Sequence, residues 1–260
     1  MSTLLVLVVC YDTKKTAFLM KNLMTKPTSN AHTEPSKPVK DFIWPQDLDT
    51  ETASLETHPF GPVLPPDATV MMMGTFPPTA DKWAMRFHYP NFYNDMWRIY
   101  GRVFFDDADY FRVGDEKRFD PERIRAFMFE RGIASCPTVV QAIRETGNAS
   151  DKNLTVVTTV DLDSILSQVP KVEALFTTGG KATEVLLNLL DPPPVKSKYP
   201  KTNQCIVYPY QWHNEDRVSS MEAVNDLTLY RLPSTSRAYP LALDKKVAAY
   251  KEFFKEMGKL

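Results

Sequence analysis

The stretch Ala68–Pro78, with the sequence ATVMMMGTFPP, decides both the fold class and the place of a candidate site. Its first half, Ala68–Met73, is a short apolar run between two prolines and a glycine, which is typical of a strand buried on both faces. Gly74 lets the chain turn and lets backbone N–H groups approach a ligand closely. Pro77 and Pro78 stiffen the loop, although a rigid strand-to-helix connection explains the same residues without a ligand.

Strand and helix signals alternate downstream of this loop. Apolar residues recur at helical spacing from Met96 to Val103, and glycine or proline punctuates the later segments. The predicted strands are 133–136, 173–178, 204–208 and 227–232, and the predicted helices are 121–131, 138–146, 181–190 and 244–257. This alternation predicts an α/β fold, three-layer α/β/α, with a short, mostly parallel central sheet. In such folds the site lies at the carboxyl ends of the strands.

The composition bounds the domain organisation. The chain has 260 residues, 43% of them hydrophobic, which is enough to bury one large core. Residues 26–60 are rich in proline and polar side chains, so we expect them to form a flexible or loosely docked arm. We therefore expect residues 1–57 to be an N-terminal extension, partly flexible, and residues 58–260 to be the folded domain. The formal net charge of −1 means that any nucleic-acid surface must be local.

Cysteine usage and hydropathy bear on the compartment. Cys10, Cys136 and Cys205 are widely spaced and fit neither a disulfide framework nor a metal site. We therefore expect reduced thiols, a cytoplasmic location, and no metal or other cofactor. The apolar run 4–10 has seven residues and is too short to cross a bilayer, so we expect no membrane contact. We also expect the protein to be a monomer.

The loop after Pro78 is unusually rich in rings. Seven aromatic or imidazole side chains fall within fifteen residues, namely Trp83, Phe87, His88, Tyr89, Phe92, Tyr93 and Trp97. Aromatic rings in a loop suit stacking on a planar base. His88 is a candidate stacking or polar contact, while simple packing within the cluster is its more ordinary role.

Asn94 and Asp95 end this loop just before the predicted helix. Asn94 has an ordinary structural explanation as an N-cap, because its side-chain oxygen can accept from N–H groups of the first turn. The same amide can orient a water molecule or bind a base edge, since it both donates and accepts hydrogen bonds. Asp95 beside it could polarise that water. Both residues are candidate catalytic groups.

A second candidate segment follows the predicted strand 227–232. Ser234, Thr235 and Ser236 lie between prolines and offer hydroxyl and N–H donors for phosphate oxygens, and Arg237 adds a positive charge. A generic serine–proline turn explains the same pattern. Lys181, after the pair Gly179-Gly180, could also contact a phosphate, and an ordinary turn accounts for it equally well.

The first segment resembles a known family. The residues GTFPP (74–78) and FHYPNFYNDMWRI (87–99) are similar to the first active-site region of the uracil-DNA glycosylase superfamily. They are most similar to its hypoxanthine-DNA glycosylase branch and to the mismatch-specific uracil-DNA glycosylases. The resemblance implies that Gly74, Thr75 and Phe76 bind the base, that Tyr89 stacks on it and that Asn94 is catalytic. Mismatch-specific enzymes carry their asparagine where this chain has Phe76, which cannot orient water.

The second segment resembles the same family. The string LPSTS (232–236) is similar to the second signature of the hypoxanthine-DNA glycosylase branch, a loop that is implied to enter the minor groove and help extrude the nucleotide. Arg237 stands where proline is frequent. Segments 132–152 and 176–183 resemble intermediate parts of the superfamily, and the similarity spans residues 58–254.

The resemblance implies a monofunctional DNA glycosylase of base excision repair. Such an enzyme hydrolyses the N-glycosidic bond of a flipped-out deaminated base, uracil or hypoxanthine, in damaged or mismatched DNA and needs no cofactor. Two other classes stay open at this point. A non-catalytic DNA-binding protein of the same fold would bind DNA without releasing a base. A nucleoside or nucleotide hydrolase would act on free nucleosides, although its usual acidic metal cluster is not visible.

Overall fold

The computed structural model describes residues 9–11, 55–144, 153–210 and 225–260. Within these ranges the chain forms nine strands and five α-helices. The strands are β1 (Val9–Tyr11), β2 (Leu55–Thr57), β3 (Val70–Met73), β4 (Ile133–Ser135), β5 (Val139–Arg144), β6 (Leu154–Thr159), β7 (Ala174–Thr177), β8 (Gln204–Tyr210) and β9 (Asn225–Arg231). The helices are α1 (Met96–Phe105), α2 (Pro121–Arg131), α3 (Leu162–Gln168), α4 (Gly180–Asn188) and α5 (Leu243–Glu256). Short 3-10 helices occupy Ala80–Lys82 and Lys196–Lys198.

The main sheet has six strands in the order β1-β8-β9-β7-β3-β4. Every neighbouring pair is parallel except β8 with β9. Met73, Thr177 and Arg231, the last residues of β3, β7 and β9, are aligned side by side in the register. The three loops that begin after these residues therefore leave the same edge of the sheet, as the sequence predicts for a mostly parallel sheet.

Strand β3 lies at the centre of the core, as its apolar sequence predicts. All four of its side chains are buried and they alternate between the two faces of the sheet. Val70 and Met72 belong to a core that includes residues of α1, α2 and α5. Met71 and Met73 belong to a second core with residues of α3 and α4. The chain therefore has the predicted three-layer α/β/α architecture.

The prediction of a helix over residues 138–146 is wrong. Val139–Arg144 is strand β5, which pairs antiparallel with both β2 and β6 in a separate three-stranded sheet. The β-branched residues of this segment fit a pleated surface with both faces covered. Val140 packs into the core beside α3 and α4, whereas Val139 packs into a smaller cluster with Leu154. Residues 145 and 146 lie outside the described ranges.

Strand β2 lies within the stretch that we expected to be a loosely docked arm. It forms one edge of the second sheet, and the following residues His58 and Phe60 are buried. Ordered structure therefore begins before residue 58 on this side of the molecule. The rest of the expected arm, residues 26–54, falls outside the described part of the chain.

The expectation of reduced cysteines is wrong for Cys205, which is disulfide-bonded. The wide spacing of the cysteines in the sequence does not indicate such a bond. The register of β1 with β8 nevertheless places the backbone of Cys10 opposite that of Cys205. Cysteine usage consequently gives no support to a reducing compartment. Cys136 is a free, buried thiol, and burial raises its pKa. None of the helices in the described ranges is long and apolar enough to cross a membrane.

Arg144 joins the second sheet to the loop that follows β3. Its side chain is only 6% exposed and makes two hydrogen bonds to the Glu56 carboxylate, at 2.8 and 3.0 Å. The same guanidinium donates to the Pro77 carbonyl at 2.9 Å and lies 5.9 Å from the ring of Phe76. These charge-assisted hydrogen bonds of a buried guanidinium hold the 74–78 turn against the second sheet.

Replacing Arg144 with methionine should destabilise the protein. The substitution keeps an aliphatic stem but removes the bonds to Glu56 and Pro77, so we expect the free energy of unfolding to fall by about 1–3 kcal/mol. The matched control is Arg118→Met, which breaks the exposed pair with Glu116 and should cost less than about 1 kcal/mol. Urea denaturation of both variants makes the comparison, and equal losses would contradict the assigned role of Arg144.

Candidate functional site

A cavity of about 280 Å³ opens at the carboxyl edge of the main sheet. Its walls come from six parts of the chain: residues 58 and 60 after β2, 74–78 after β3, 88–91 with 93–94 before α1, 135 and 137 around the end of β4, 178 after β7, and 234–238 after β9. Two segments that are far apart in the sequence therefore meet in one place. The cavity is near the lower end of the range for ligand pockets, roughly 300–1,000 Å³.

Most of the residues singled out in the sequence line this cavity. They are Gly74, Thr75, Phe76, His88, Tyr89, Asn94, Ser234, Thr235, Ser236 and Arg237. Asp95 and Lys181 do not line it. Lys181 lies on α4, where its nearest acidic partner is Glu184 at 3.9 Å.

Gly74 makes room for the ring of Tyr89. A methyl group at Gly74 would lie 2.8 Å from the Tyr89 hydroxyl, which is closer than real contacts allow. The Gly74 carbonyl accepts hydrogen bonds from both the backbone N–H and the hydroxyl of Thr138, at 2.8 and 2.9 Å. The turn is thereby fixed to the strand beside it, and glycine at position 74 is needed for the close packing of Tyr89.

Tyr89 is held from several sides. Its hydroxyl shares a hydrogen bond of 2.8 Å with the Thr178 hydroxyl, at the end of β7. Its ring meets Trp97 edge to face at 6.3 Å. The backbone of Tyr89 has a φ of 53°, an uncommon conformation for a bulky residue. This strained, anchored position presents an aromatic side chain to the cavity.

Asn94 lies at the junction of the cavity and helix α1. Its side-chain oxygen accepts from the Met96 N–H at 2.9 Å, although the N-cap position itself is occupied by Asp95. This bond fixes the orientation of the amide, because only the oxygen can accept it. Among the contacts of the described residues, the amide nitrogen has no acceptor. Asn94 therefore serves the helix start and still offers a donor to the cavity.

Arg98 fixes the loop that carries Asn94. Its guanidinium donates to the Phe92 carbonyl at 2.5 Å and lies over the rings of Phe92 and Phe119, at 4.3 and 5.0 Å. Burial lowers the pKa of this side chain. The guanidinium is satisfied by a carbonyl and by aromatic faces, so movement of the loop would break these contacts.

Asp95 lies behind the cavity wall and forms a buried ion pair. Its carboxylate accepts from the Lys246 ammonium at 2.9 Å, and the Lys246 side chain is 1% exposed. Lys246 also donates to the Ser236 carbonyl at 2.8 Å, and the Asp95 N–H donates to the Thr235 carbonyl at 2.9 Å. Arg237 contacts the other carboxylate oxygen at 3.4 Å. These bonds tie the start of α1, the 234–238 loop and α5 together.

This arrangement changes the expected role of Asp95. A carboxylate that is paired with a buried lysine and lies outside the cavity is placed to hold the two segments, and it is not placed to polarise a water in the cavity. Lys246 was missed in the sequence, because a lysine on an amphipathic helix is indistinguishable from a solvated surface charge. Only the packing of α5 under the loop reveals it.

Two neutral histidines line the cavity. Burial is the main cause that lowers the pKa of His58 to about 3 and that of His88 to about 4. His88 Nε2 lies 3.0 Å from the Gly61 carbonyl, which requires the proton on that nitrogen, and His58 Nδ1 lies 2.8 Å from the Phe60 carbonyl. Of the described residues that line the cavity, none is aspartate or glutamate. The wall is therefore uncharged except for Arg237 at the mouth.

Comparison with known proteins gives little further information. No protein-family model and no curated protein matches the chain. Among solved structures, the chain is similar to the solution NMR structure of a "putative Uracil DNA glycosylase" from Methanosarcina acetivorans. The two are 16% identical with a TM-score of 0.49, over 78% of this chain and 99% of that one. These values are too low to transfer a function from that protein.

Breaking the buried pair should be costly. In Asp95→Asn the Lys246 ammonium would be left without a counter-charge, so we expect the free energy of unfolding to fall by about 3–5 kcal/mol. The control is Asp244→Asn, because Asp244 pairs with Arg102 across the same two helices but on the surface. That variant should lose less than about 1 kcal/mol. Similar losses in the two variants, measured by urea denaturation, would rule out the proposed role of the buried pair.

Acid should destabilise the protein before its carboxylates protonate. His58 and His88 stay neutral when folded but protonate near pH 6.5 when unfolded, so their contribution is complete above that pH. It is lost as the pH falls toward 4, by up to about 1.4 kcal/mol per pH unit for each histidine. We expect His88→Asn to remove about half of the slope between pH 6.5 and 5. An unfolding free energy that does not change over this range would refute the assignment.

Proposed function

We propose that this protein is a monofunctional DNA glycosylase that removes a deaminated base, uracil or hypoxanthine, from DNA in base excision repair. The observation that carries the proposal is the meeting of two distant segments at one small cavity. One segment contributes an anchored aromatic ring, Tyr89, and an oriented amide, Asn94. The other contributes hydroxyl groups and Arg237. Both segments resemble the signatures of the same glycosylase branch.

The size and position of the cavity favour a flipped-out base. A volume of about 280 Å³ is large enough to hold a single planar base. A base inside a duplex cannot reach such a recess, so the nucleotide must rotate out of the stack. Mispaired deaminated bases cost least to extrude. The 234–238 loop at the mouth is then placed to meet the DNA backbone with its hydroxyls and Arg237.

A backbone donor in the first turn would separate uracil and hypoxanthine from the bases that they derive from, cytosine and adenine. Deamination replaces an exocyclic amino group by a carbonyl oxygen, which accepts a hydrogen bond instead of donating one. The backbone of residues 74–76 follows the cavity wall, and no hydrogen bond among the described residues uses the Phe76 N–H. A backbone N–H at this position would donate to the carbonyl oxygen of uracil or hypoxanthine and would leave the amino group of cytosine or adenine without an acceptor.

The uncharged wall favours a dissociative reaction. Since the described residues that line the cavity include no carboxylate to activate a nucleophile, the bond to the base breaks first, and the departing base leaves as an anion that fixed donors stabilise. The sugar becomes an oxocarbenium-like cation, Asn94 positions the water that adds at C1′, and the proton that this water loses neutralises the base anion. An abasic site and a free base result. Lys246 is buried and paired with Asp95, so it does not supply the free amine that a Schiff-base lyase step needs.

The test is base release from a panel of labelled oligonucleotides. Single- and double-stranded substrates carry uracil, hypoxanthine, xanthine or mismatched thymine, and alkaline scission reports abasic sites. We expect scission at uracil or hypoxanthine, and a loss of about 100-fold or more in Asn94→Ala. The control is Asn188→Ala, which truncates an exposed asparagine at the end of α4. This variant should keep full activity.

Three outcomes would overturn the proposal. Absence of scission across the panel with folded protein would contradict the proposed glycosylase activity. Salt-dependent binding to every oligonucleotide without base release would indicate a non-catalytic DNA-binding protein. Turnover of free inosine or uridine faster than any oligonucleotide would indicate a nucleoside hydrolase.

A further inference from the structure

Tyr93 is a solvent-exposed aromatic residue at the mouth of the cavity. It is 51% exposed, whereas the ring of Tyr89 is partly buried against the core. Of the large apolar residues that are exposed in the described part of the chain, Tyr93 is the one that lines the cavity. An exposed ring at the rim of a cavity is available to stack on a planar ligand.

The backbone around Tyr93 is rigid. The Tyr93 N–H donates to the Asn91 side-chain oxygen at 2.8 Å, and the next residue is the anchored Asn94. The Phe92 ring meets the Tyr93 ring edge to face at 5.7 Å, and Phe92 itself is held by Arg98. The rigid backbone thus holds the Tyr93 side chain toward solvent, which reduces the entropy lost when its ring contacts a ligand.

Tyr93 also bridges the two sides of the mouth. The Arg237 guanidinium from the second segment lies 5.3 Å from the centre of its ring. Arg237 is 53% exposed and its only ion pair among the described residues is the long contact with Asp95. An exposed ring beside an exposed cation matches the two parts of a nucleic acid, a base face and a phosphate.

We propose that Tyr93 enters the base stack of a duplex at the place vacated by the extruded nucleotide, while Arg237 contacts a flanking phosphate. This inference rests on the proposed glycosylase function and adds that double-stranded DNA is the substrate form. Extrusion of a nucleotide removes its stacking contacts on both sides, and an inserted ring restores part of them. A single strand leaves no comparable gap, so Tyr93 favours the duplex selectively.

The kinetic test compares duplex and single-stranded substrates of the same sequence. The ratio of kcat/KM for the duplex to that for the single strand should fall at least about tenfold in Tyr93→Ala, the scale of one base–aromatic contact. Tyr93→Phe keeps the ring and should keep the ratio. Phe129→Ala is the matched control, because Phe129 is 48% exposed on α2 and away from the cavity. It should change neither rate.

A binding test separates this inference from the proposed activity. The probe is a duplex that carries a stable abasic analogue with 2-aminopurine as its neighbour. Stacking of Tyr93 on the 2-aminopurine should change its fluorescence in the wild type and in Tyr93→Phe, and the change should be lost in Tyr93→Ala. An unchanged signal in Tyr93→Ala, or an equal loss of duplex and single-strand activity, would overturn the inference. Absence of base release with the fluorescence change intact would overturn the activity alone.

Discussion

The buried ion pair between Asp95 and Lys246 is the constraint on which the rest of the site depends. Two charges removed from water are tolerated only when they satisfy each other, so the carboxylate and the ammonium cannot separate without a large cost. Asp95 begins helix α1, and Lys246 lies on α5 and also holds the Ser236 carbonyl. The pair therefore fixes the distance between the loop that carries Asn94 and the loop that carries Arg237. A cavity between two distant segments keeps its shape for this reason.

Apart from Arg237 at the mouth, the described residues of the cavity wall carry no charge. The carboxylate nearest to Asn94 in the sequence is turned away and neutralised, and the two histidines of the wall are uncharged because burial depresses their pKa values. In the proposed reaction, a departing base that carries negative charge would meet no carboxylate among the described lining residues, and the repulsion of a carboxylate would be strong in a partly desolvated recess. Charged and neutral side chains therefore have different roles in this site. Charged pairs such as Asp95–Lys246 and Glu56–Arg144 hold the walls, and neutral groups face the ligand.

The sequence predicts the central features of the fold and part of the site. A run such as VMMM has few alternatives to a buried strand, and Gly74 and Asn94 occupy positions where local geometry restricts the residue type. Strand β5 could not be recognised, because a short apolar run fits a helix or a strand until its partners β2 and β6 are known. Lys246, His58 and the disulfide of Cys205 depend on tertiary packing alone. Their sequence neighbours give no sign of what they contact.

The most direct test of the account is a crystal structure of the protein with a duplex that contains a pyrrolidine mimic of the oxocarbenium-like sugar. We expect the pyrrolidine nitrogen to lie in the cavity between residues 74–78 and 234–238, with a water bridging it to the Asn94 amide at about 3 Å. The adjoining helix and loop should keep their positions, because the Asp95–Lys246 pair stays closed. A duplex bound on another face, with the cavity vacant and Asn94 remote from the mimic, would contradict the account.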